Sequence, residues 1–325
     1  MGEVSVIAAV TSTLALDYRP GDSRLLALYE RSLQAQWNAG TDLDWSLDVG
    51  FGSALPDGSR VAWTSFLASP LGRRGRGMWD TYRWEVQSWM VSQFLHGEQG
   101  ALVAAARLVE AMPDIGAKLC AASQVVDEAR HVEAFSRYLR EKVPSPYPIN
   151  GALRELLEDI LGDSRWDVTA LGMHIMVEAL AMATFRLANA TFHDPLIREI
   201  TRLVGRDEAR HVSFGVMSLA EAFAELTAAE RADREDLVME AASLMRQRFL
   251  LEDVWERLDV PARDGASYAL QDELMIMYRQ TIFVKVIGAL IRIGLMTRRV
   301  RDALERLGLL EFAGAPRDLG WAAQR

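Results

Sequence analysis

Apolar residues recur near every 3.6 positions over Arg24–Trp37, Trp79–Met112, Ile115–Glu141, Ala152–Leu161, Asp167–Thr191, Pro195–Leu226, Ala229–Leu258 and Tyr268–Arg292. That period lines one face of an α-helix, so the chain is expected to be all-α. Only the first fifty to seventy-five residues, with scattered Gly and Pro, read as irregular. Pro113-Asp114 and His193-Asp194-Pro195 break the apolar pattern as turns, and Pro144, Pro146 and Pro148 mark a longer connection between two helical hairpins. No Gly/Ser/Pro-rich linker divides the 325 residues. A single domain is therefore expected, with a bundle core over about 79–226, an N-terminal flank over 1–78 and C-terminal helices over 227–325.

Within this pattern the pentapeptide Asp-Glu-Ala-Arg-His occurs twice, at Asp127–His131 and Asp207–His211. The glutamate of each copy lies 30 residues downstream of an isolated glutamate, Glu98 or Glu178, and the two sets are offset by a constant 80. Glu128 and His131, like Glu208 and His211, are three apart and share a helix face. Each turn stands fifteen residues from the glutamate before it and fifteen from the motif glutamate after it. A chain rising about 22 Å and descending about 22 Å returns to its starting level. Each hairpin thus presents two carboxylates and one imidazole at one height. Two hairpins facing each other bring Glu98, Glu128, His131, Glu178, Glu208 and His211 together as metal ligands.

Charge supports this reading. Apolar runs such as Gly100–Leu108 and Val177–Ala190 place the glutamates in a buried environment. Four carboxylates there must be paired or protonated, and two divalent cations cancel them. Oxygen and nitrogen donors together suit iron or manganese. Asp127 and Asp207 are placed to accept the second N–H of the opposite hairpin's histidine, with Arg130 and Arg210 neutralising them. A solvated helix face laced with ion pairs is the alternative for one copy; two copies at matched offsets disfavour it.

The halves also differ. Four residues before the isolated glutamates stand Phe94 and His174, and four before the motif glutamates stand Gln124 and Val204. His174 is a candidate proton-handling group or added ligand, or a satisfied core histidine. Gln124 is a candidate donor to a metal-bound group or to backbone. Ala101, Ala105, Ala121, Ala181, Met182, Phe185, Phe135 and Phe214, a turn or two from the ligands, are expected to wall an apolar pocket. His96 points off the ligand face.

A net charge of −9 argues against nucleic acid. The lone cysteine, Cys120, is expected in the core, and cytoplasmic location fits. Val4–Val10 lacks a basic region before it and does not read as a signal peptide. Ile282–Leu295, interrupted by Lys285 and Arg292, reads as too short to span a bilayer, and is expected to pack on the bundle or on a second subunit of a homodimer. No dinucleotide fingerprint is present; Gly50 and Gly52 lack its strand–turn–helix context.

With these motifs in view, the chain resembles the ferritin-like di-iron oxygenase superfamily over roughly residues 79–226. In motif it is most similar to the arylamine N-oxygenases and to hydroxylase subunits of bacterial multicomponent monooxygenases. Gln36-Trp37 and Asp42-Leu43-Asp44-Trp45 are similar in flavour to segments preceding the bundle in such oxygenases. The resemblance implies a four-helix bundle with flanking helices, two iron ions (or a manganese–iron pair) and O2 as co-substrate. It also implies an external reductase or ferredoxin and a small, largely apolar organic substrate that is hydroxylated or N-oxygenated. An iron-handling or peroxide-scavenging protein is the alternative the same architecture allows. Arylamine N-oxygenases carry a further histidine where Val204 stands here. Ribonucleotide reductase small subunits carry a radical tyrosine where Phe135 stands, with Tyr138 one turn on, and one cysteine cannot build a rubrerythrin-type iron site.

Overall fold

The computed structural model describes residues 5–18 and 23–310; Val4 and the outer ends of both flanks lie outside the described residues. The N-terminal flank supplies α1 (Ser23–Gln34) and α2 (Arg60–Ala68), followed by a 3-10 turn at Gly72–Arg74. The bundle begins with α3 (Gly75–Ala111) and α4 (Ile115–Lys142), packed along each other as a hairpin. Pro113 ends the first helix, and the Asp114 carboxylate caps the second by accepting from the backbone N–H groups of Gly116 and Ala117. Next come α5 (Gly151–Gly162) and one continuous helical rod made of α6 (Trp166–Ala170), a π-helical stretch (Leu171–Glu178) and α7 (Ala179–Thr191). The rod pairs with α8 (Pro195–Ala224), whose start has Asp194 as cap and Pro195 in the first turn. α9 (Ala228–Arg248), α10 (Glu252–Arg257), α11 (Ala262–Gln271), α12 (Glu273–Arg292) and α13 (Arg298–Arg306) complete the described chain. The described residues form no strand.

α1 lies on α4 and α8, α5 against α3 and α9, and α12 along α7. Contiguous buried side chains run from Leu25 to Leu309.

Four features differ from the periodicity. The region expected to be irregular contains α2, capped by the Ser59 hydroxyl and anchored by buried Phe66. The stretch Ala229–Leu258 is two helices, broken at Phe249–Leu251, where Leu251 adopts a left-handed φ of 60°. Burial of Trp255 outweighs helix continuity there: its indole donates to the Leu250 carbonyl (2.9 Å) and packs where a Cβ on Gly265 would collide. Tyr268–Arg292 is likewise broken at Asp272, which caps α12 by accepting from Met275 N–H. The rod over Asp167–Thr191 departs from α-geometry at Leu171–Glu178, where the wider π turn redirects the side chains before Glu178.

By length and composition, Trp166–Thr191 and Glu273–Arg292 could each cross a membrane, but the first is 83% buried inside the bundle. Most of the segment Ile282–Leu295, expected to be too short, belongs to the second of these 20-residue-or-longer helices.

Candidate metal centre

Glu98 projects from α3, Glu128 and His131 from α4, Glu178 from the end of the π stretch, and Glu208 and His211 from α8. All six are buried. They form two overlapping groups, Glu98–Glu128–His131–Glu208 and Glu128–Glu178–Glu208–His211, in each of which one donor atom per residue lies within 4.8 Å of the others. Glu128 and Glu208 belong to both groups, a sharing that the sequence spacing did not reveal. The His131 Nδ1 sits 3.1 Å from Glu98 Oε2, 3.2 Å from Glu128 Oε2 and 3.4 Å from Glu208 Oε1. The His211 Nδ1 sits 3.1 Å from Glu128 Oε1 and 3.5 Å from Glu208 Oε2. Donors this close could occupy neighbouring positions around one ion.

The donor set fits a pair of divalent cations. Glu178 Oε2, both Glu208 oxygens and His211 Nδ1 are buried without a hydrogen-bond partner among the described residues. Lone pairs left this way in a core are costly unless something binds them. Burial and the neighbouring Glu208 charge push the Glu98 and Glu178 carboxyls well above the usual range. Burial opposes charge on His131 and His211, yet their acidic partners raise both well above an ordinary imidazole. Without cations these four groups hold protons that metal must displace. Loading with Mn(II) or Fe(II) is therefore expected to release protons, and affinity to rise as the pH is raised. Anaerobic titration in weak buffer with a pH indicator checks this; pH-independent affinity without proton release would contradict it.

Around this cluster the hairpins exchange partners. His131 turns Nε2 to Asp207 (3.3 Å) and His211 turns Nε2 to Asp127 (3.2 Å). Arg130 Nη2 donates to Asp127 (2.5 Å) and Asp207 (2.9 Å), and Arg210 Nη2 donates to the same two carboxylates at 2.9 Å each. The four side chains make a closed ring of alternating charge. Burial raises Asp127, but His211 and Arg210 overcome it and hold the carboxyl below its usual range; His131 and Arg210 do the same for Asp207. Gln36 and Trp37, just past α1, complete the ring. The Trp37 indole donates to Asp207 (2.7 Å), and Gln36 donates to Asp127 and accepts from Arg130. Nothing in local spacing links residue 37 to residue 207, so the sequence does not show this contact.

Residues 108–294, more than half of the chain, match the family described as p-aminobenzoate N-oxygenase AurF. The chain belongs to this family. AurF-family proteins are di-iron oxidoreductases acting on small molecules, and this member carries carboxylate and histidine groups placed so that they could hold metal ions. No curated protein sequence matches the chain. Among solved structures, a putative class I ribonucleotide reductase from Bacillus halodurans aligns with TM-score 0.54 at 13% identity, covering 88% of this chain and 99% of that one. A variant of an R2-like ligand-binding oxidase with a Mn/Fe cofactor aligns at 17% identity and TM-score 0.46, over 90% and 93% of the two chains. The first of these shows a shared ferritin-like fold.

The remaining candidates sit around this AurF-family centre as follows. Gln124 Nε2 donates to Glu128 (3.0 Å) and Glu178 (2.9 Å), and its Oε1 faces His174 Nε2 at 3.0 Å. Burial, then the His211 charge, lowers the His174 pKa to about 3, so this imidazole is neutral and its Nε2–H fixes which way the amide points. The π turn gives His174 surroundings unlike those of Phe94. Phe94 packs on Phe135 and Phe185, whereas His174 meets Phe214 and lies against Gly215, where a Cβ would come within 2.3 Å of it. Gly215→Ala is expected to displace His174 and cost about 1–3 kcal/mol, read by urea denaturation; an unchanged midpoint would contradict this packing. Val204 is fully buried. His96 contacts the Tyr147 carbonyl, Tyr138 hydrogen-bonds Asp194 and Gln87, and buried Cys120 contacts the Leu25 carbonyl.

An inner cavity opens beside the carboxylate cluster, and an outer cleft that no candidate ligand lines meets it at Phe249. The inner one, about 30 Å³, is bounded by Glu98, Glu178 and Glu208 with Ala101, Ala181 and Phe185. It has room for one or two water-sized molecules. Ala105, Ala121, Met182 and Phe135, also expected as pocket wall, do not line it, whereas Phe214 lines a separate void of about 10 Å³ beside Gln124, Asp127 and His211. The outer cleft, about 590 Å³, is walled by Trp79, Tyr82, Trp89, Phe192 and Tyr278. Phe249, at the break after α9, borders both.

Proposed function

We propose that this chain N-oxygenates an arylamine. Glu98, Glu128, His131, Glu178, Glu208 and His211 would hold two iron ions, with a manganese–iron pair compatible with the same donors. The shared glutamates and the unpartnered oxygens of Glu208 are the observation that carries the reading. Reduced iron there would supply electrons to O2 and oxygen to the substrate. One oxygen atom joins the amine nitrogen to give a hydroxylamine. The other leaves as water with two protons and two electrons from an external reductase or ferredoxin.

The chain's own residues set the conditions. Asp127 and Asp207 fix the imidazole orientation, and Arg130 and Arg210 keep those aspartates charged. Gln124, locked by His174, presents N–H to Glu128 and Glu178 and limits how those carboxylates swing. Ala101, Ala181 and Phe185 keep bulk water from the inner cavity. The arylamine would enter by the aromatic outer cleft and pass Phe249. Family membership favours N-oxygenation although Val204 replaces the extra histidine. We further take the chain to work as one unit and as a homodimer meeting through α12, where Val284 and Ile291 are exposed.

The test supplies iron-loaded protein with an arylamine, a chemical reductant and 18O2, followed by mass spectrometry. Isotope in a hydroxylamine or nitroso product is expected. Iron oxidation with the amine unchanged, or ring hydroxylation instead, would sink the reading.

Phe249→Ala joins the two cavities and is expected to lower KM for bulky arylamines about 3–10-fold with little change in kcat, since only entry is altered. Steady-state kinetics on small and bulky amines checks this; an unchanged KM would remove Phe249 from the entry route.

A further inference from the structure

The outer cleft, about 590 Å³ between α2, α3, the end of α7 and α12, is far larger than the inner cavity of about 30 Å³. Its walls are aromatic and held in place by their neighbours. The rings of Trp79 and Tyr82 lie 6.2 Å apart and within 20° of parallel, and Tyr82 stacks in turn on buried Trp255 at 5.4 Å. Phe249 meets Trp89 edge-on at 6.0 Å and Tyr278 at 5.8 Å. The Trp89 indole is fixed further by donating to Asp253 (2.9 Å). Rings braced in this way give flat faces on which another ring packs with little ordering to pay for.

The charged side chains lining the cleft, Asp57 and Arg83 among the described residues, are already paired. Asp57 binds Arg76 (2.6 Å), and Arg83 donates to Asp80 and to the Pro56 carbonyl (2.8 Å). His193 stands 3.3 Å from Arg83; burial and then the Arg83 charge lower its pKa, so it is neutral at neutral pH. A charged ligand would lose its water in the cleft and find no counterion there. The divider between the two spaces is one layer of side chains. Phe249 lines both, and Tyr278 on the cleft side is hydrogen-bonded to Thr184 on the inner side. The inner cavity admits an amine group and little more. A ring bearing that amine must lie past Phe249, where the open space is the cleft.

We propose that the outer cleft binds the body of the substrate, a neutral apolar scaffold of at least two rings whose terminal arylamine reaches the carboxylate cluster past Phe249. The proposal rests on the N-oxygenase reading for the chemistry at that amine. A single-ring amine, aminobenzoate included, leaves the cleft empty and forgoes most of the apolar burial it offers. A space of this size holds a drug-sized molecule.

The test is calorimetric binding to the iron-loaded protein without reductant, using aniline, 4-aminobiphenyl and 4′-aminobiphenyl-4-carboxylate. The neutral two-ring amine is expected to bind at least about 10-fold more tightly than aniline, and at least about 10-fold more tightly than its carboxylate. Ala62→Trp on α2 and Ala190→Trp on α7 narrow the cleft from two walls and lie outside the inner cavity. In each, the affinity ratio of 4-aminobiphenyl to aniline should fall towards one. Circular dichroism checks the fold, and a variant that misfolds leaves the other to decide. Equal binding of one-ring and two-ring amines, binding of neither, tighter binding of the carboxylate, or a size preference surviving the substitutions overturns the proposal. N-oxygenation of aniline without any size preference would defeat the cleft while sparing the N-oxygenase reading. Size-selective binding without N-oxygenated product would do the reverse.

Discussion

Glu208→Ala is expected to reduce metal content from about two ions per chain to fewer than one, and N-oxygenation to the level of metal-free protein. Glu208 is a member of both donor groups, so its loss takes an oxygen from each. Glu98→Ala provides the contrast. It damages one group and leaves Glu128, Glu178, Glu208 and His211 complete, so about one ion per chain should remain. Neither change should unfold the bundle. Removing a buried carboxylate relieves repulsion in the metal-free state, and the apo-protein's denaturation midpoint is expected to hold or rise. Metal analysis after desalting, alongside circular dichroism, reads both effects. Two ions retained in Glu208→Ala would contradict the shared-ligand arrangement.

Asp207→Ala has the second largest expected effect, because two functions meet at one side chain. The Asp207 carboxylate accepts from Trp37, Arg130 and Arg210 and contacts His131 Nε2. Its loss leaves the buried Arg130 and the half-buried Arg210 sharing Asp127 alone and is expected to cost about 3–5 kcal/mol of stability. The freed imidazole should also weaken metal binding by about 10–100-fold. Asp207→Asn keeps the shape and removes the charge, and should fall between. The pH dependence has a definite sign. The folded-state pKa of Asp207 lies below its unfolded value, so its contribution is present above the ordinary carboxylate range and is lost as pH falls through the depressed value. Urea midpoints of wild type and Asp207→Asn should therefore differ at neutral pH and converge in strong acid. A constant gap would show that the ring is not stabilised by charge.

The candidate metal ligands are legible in the sequence because the chain repeats them. Two motifs at a fixed offset, each framed by a turn midway to its glutamate, leave little freedom in where six side chains meet. The long bundle helices follow from the same regularity. What stayed hidden depends on contacts far apart in sequence. Trp37 reaches Asp207 only because α1 lies across α4 and α8. The break at Phe249–Leu251 arises from Trp255 burying itself against Gly265, a preference no window over α9 contains. The π stretch kept the hydrophobic period of an α-helix while turning His174 towards Gln124.

Assembly of an oxygen-activating two-metal centre by the six residues is tested most directly by anaerobic Fe(II) titration followed by stopped-flow mixing with O2. Saturation near about two irons per chain, with a transient visible absorption band after mixing, is the predicted result. Oxidation continuing well beyond two irons without a transient would contradict it and make the protein an iron store.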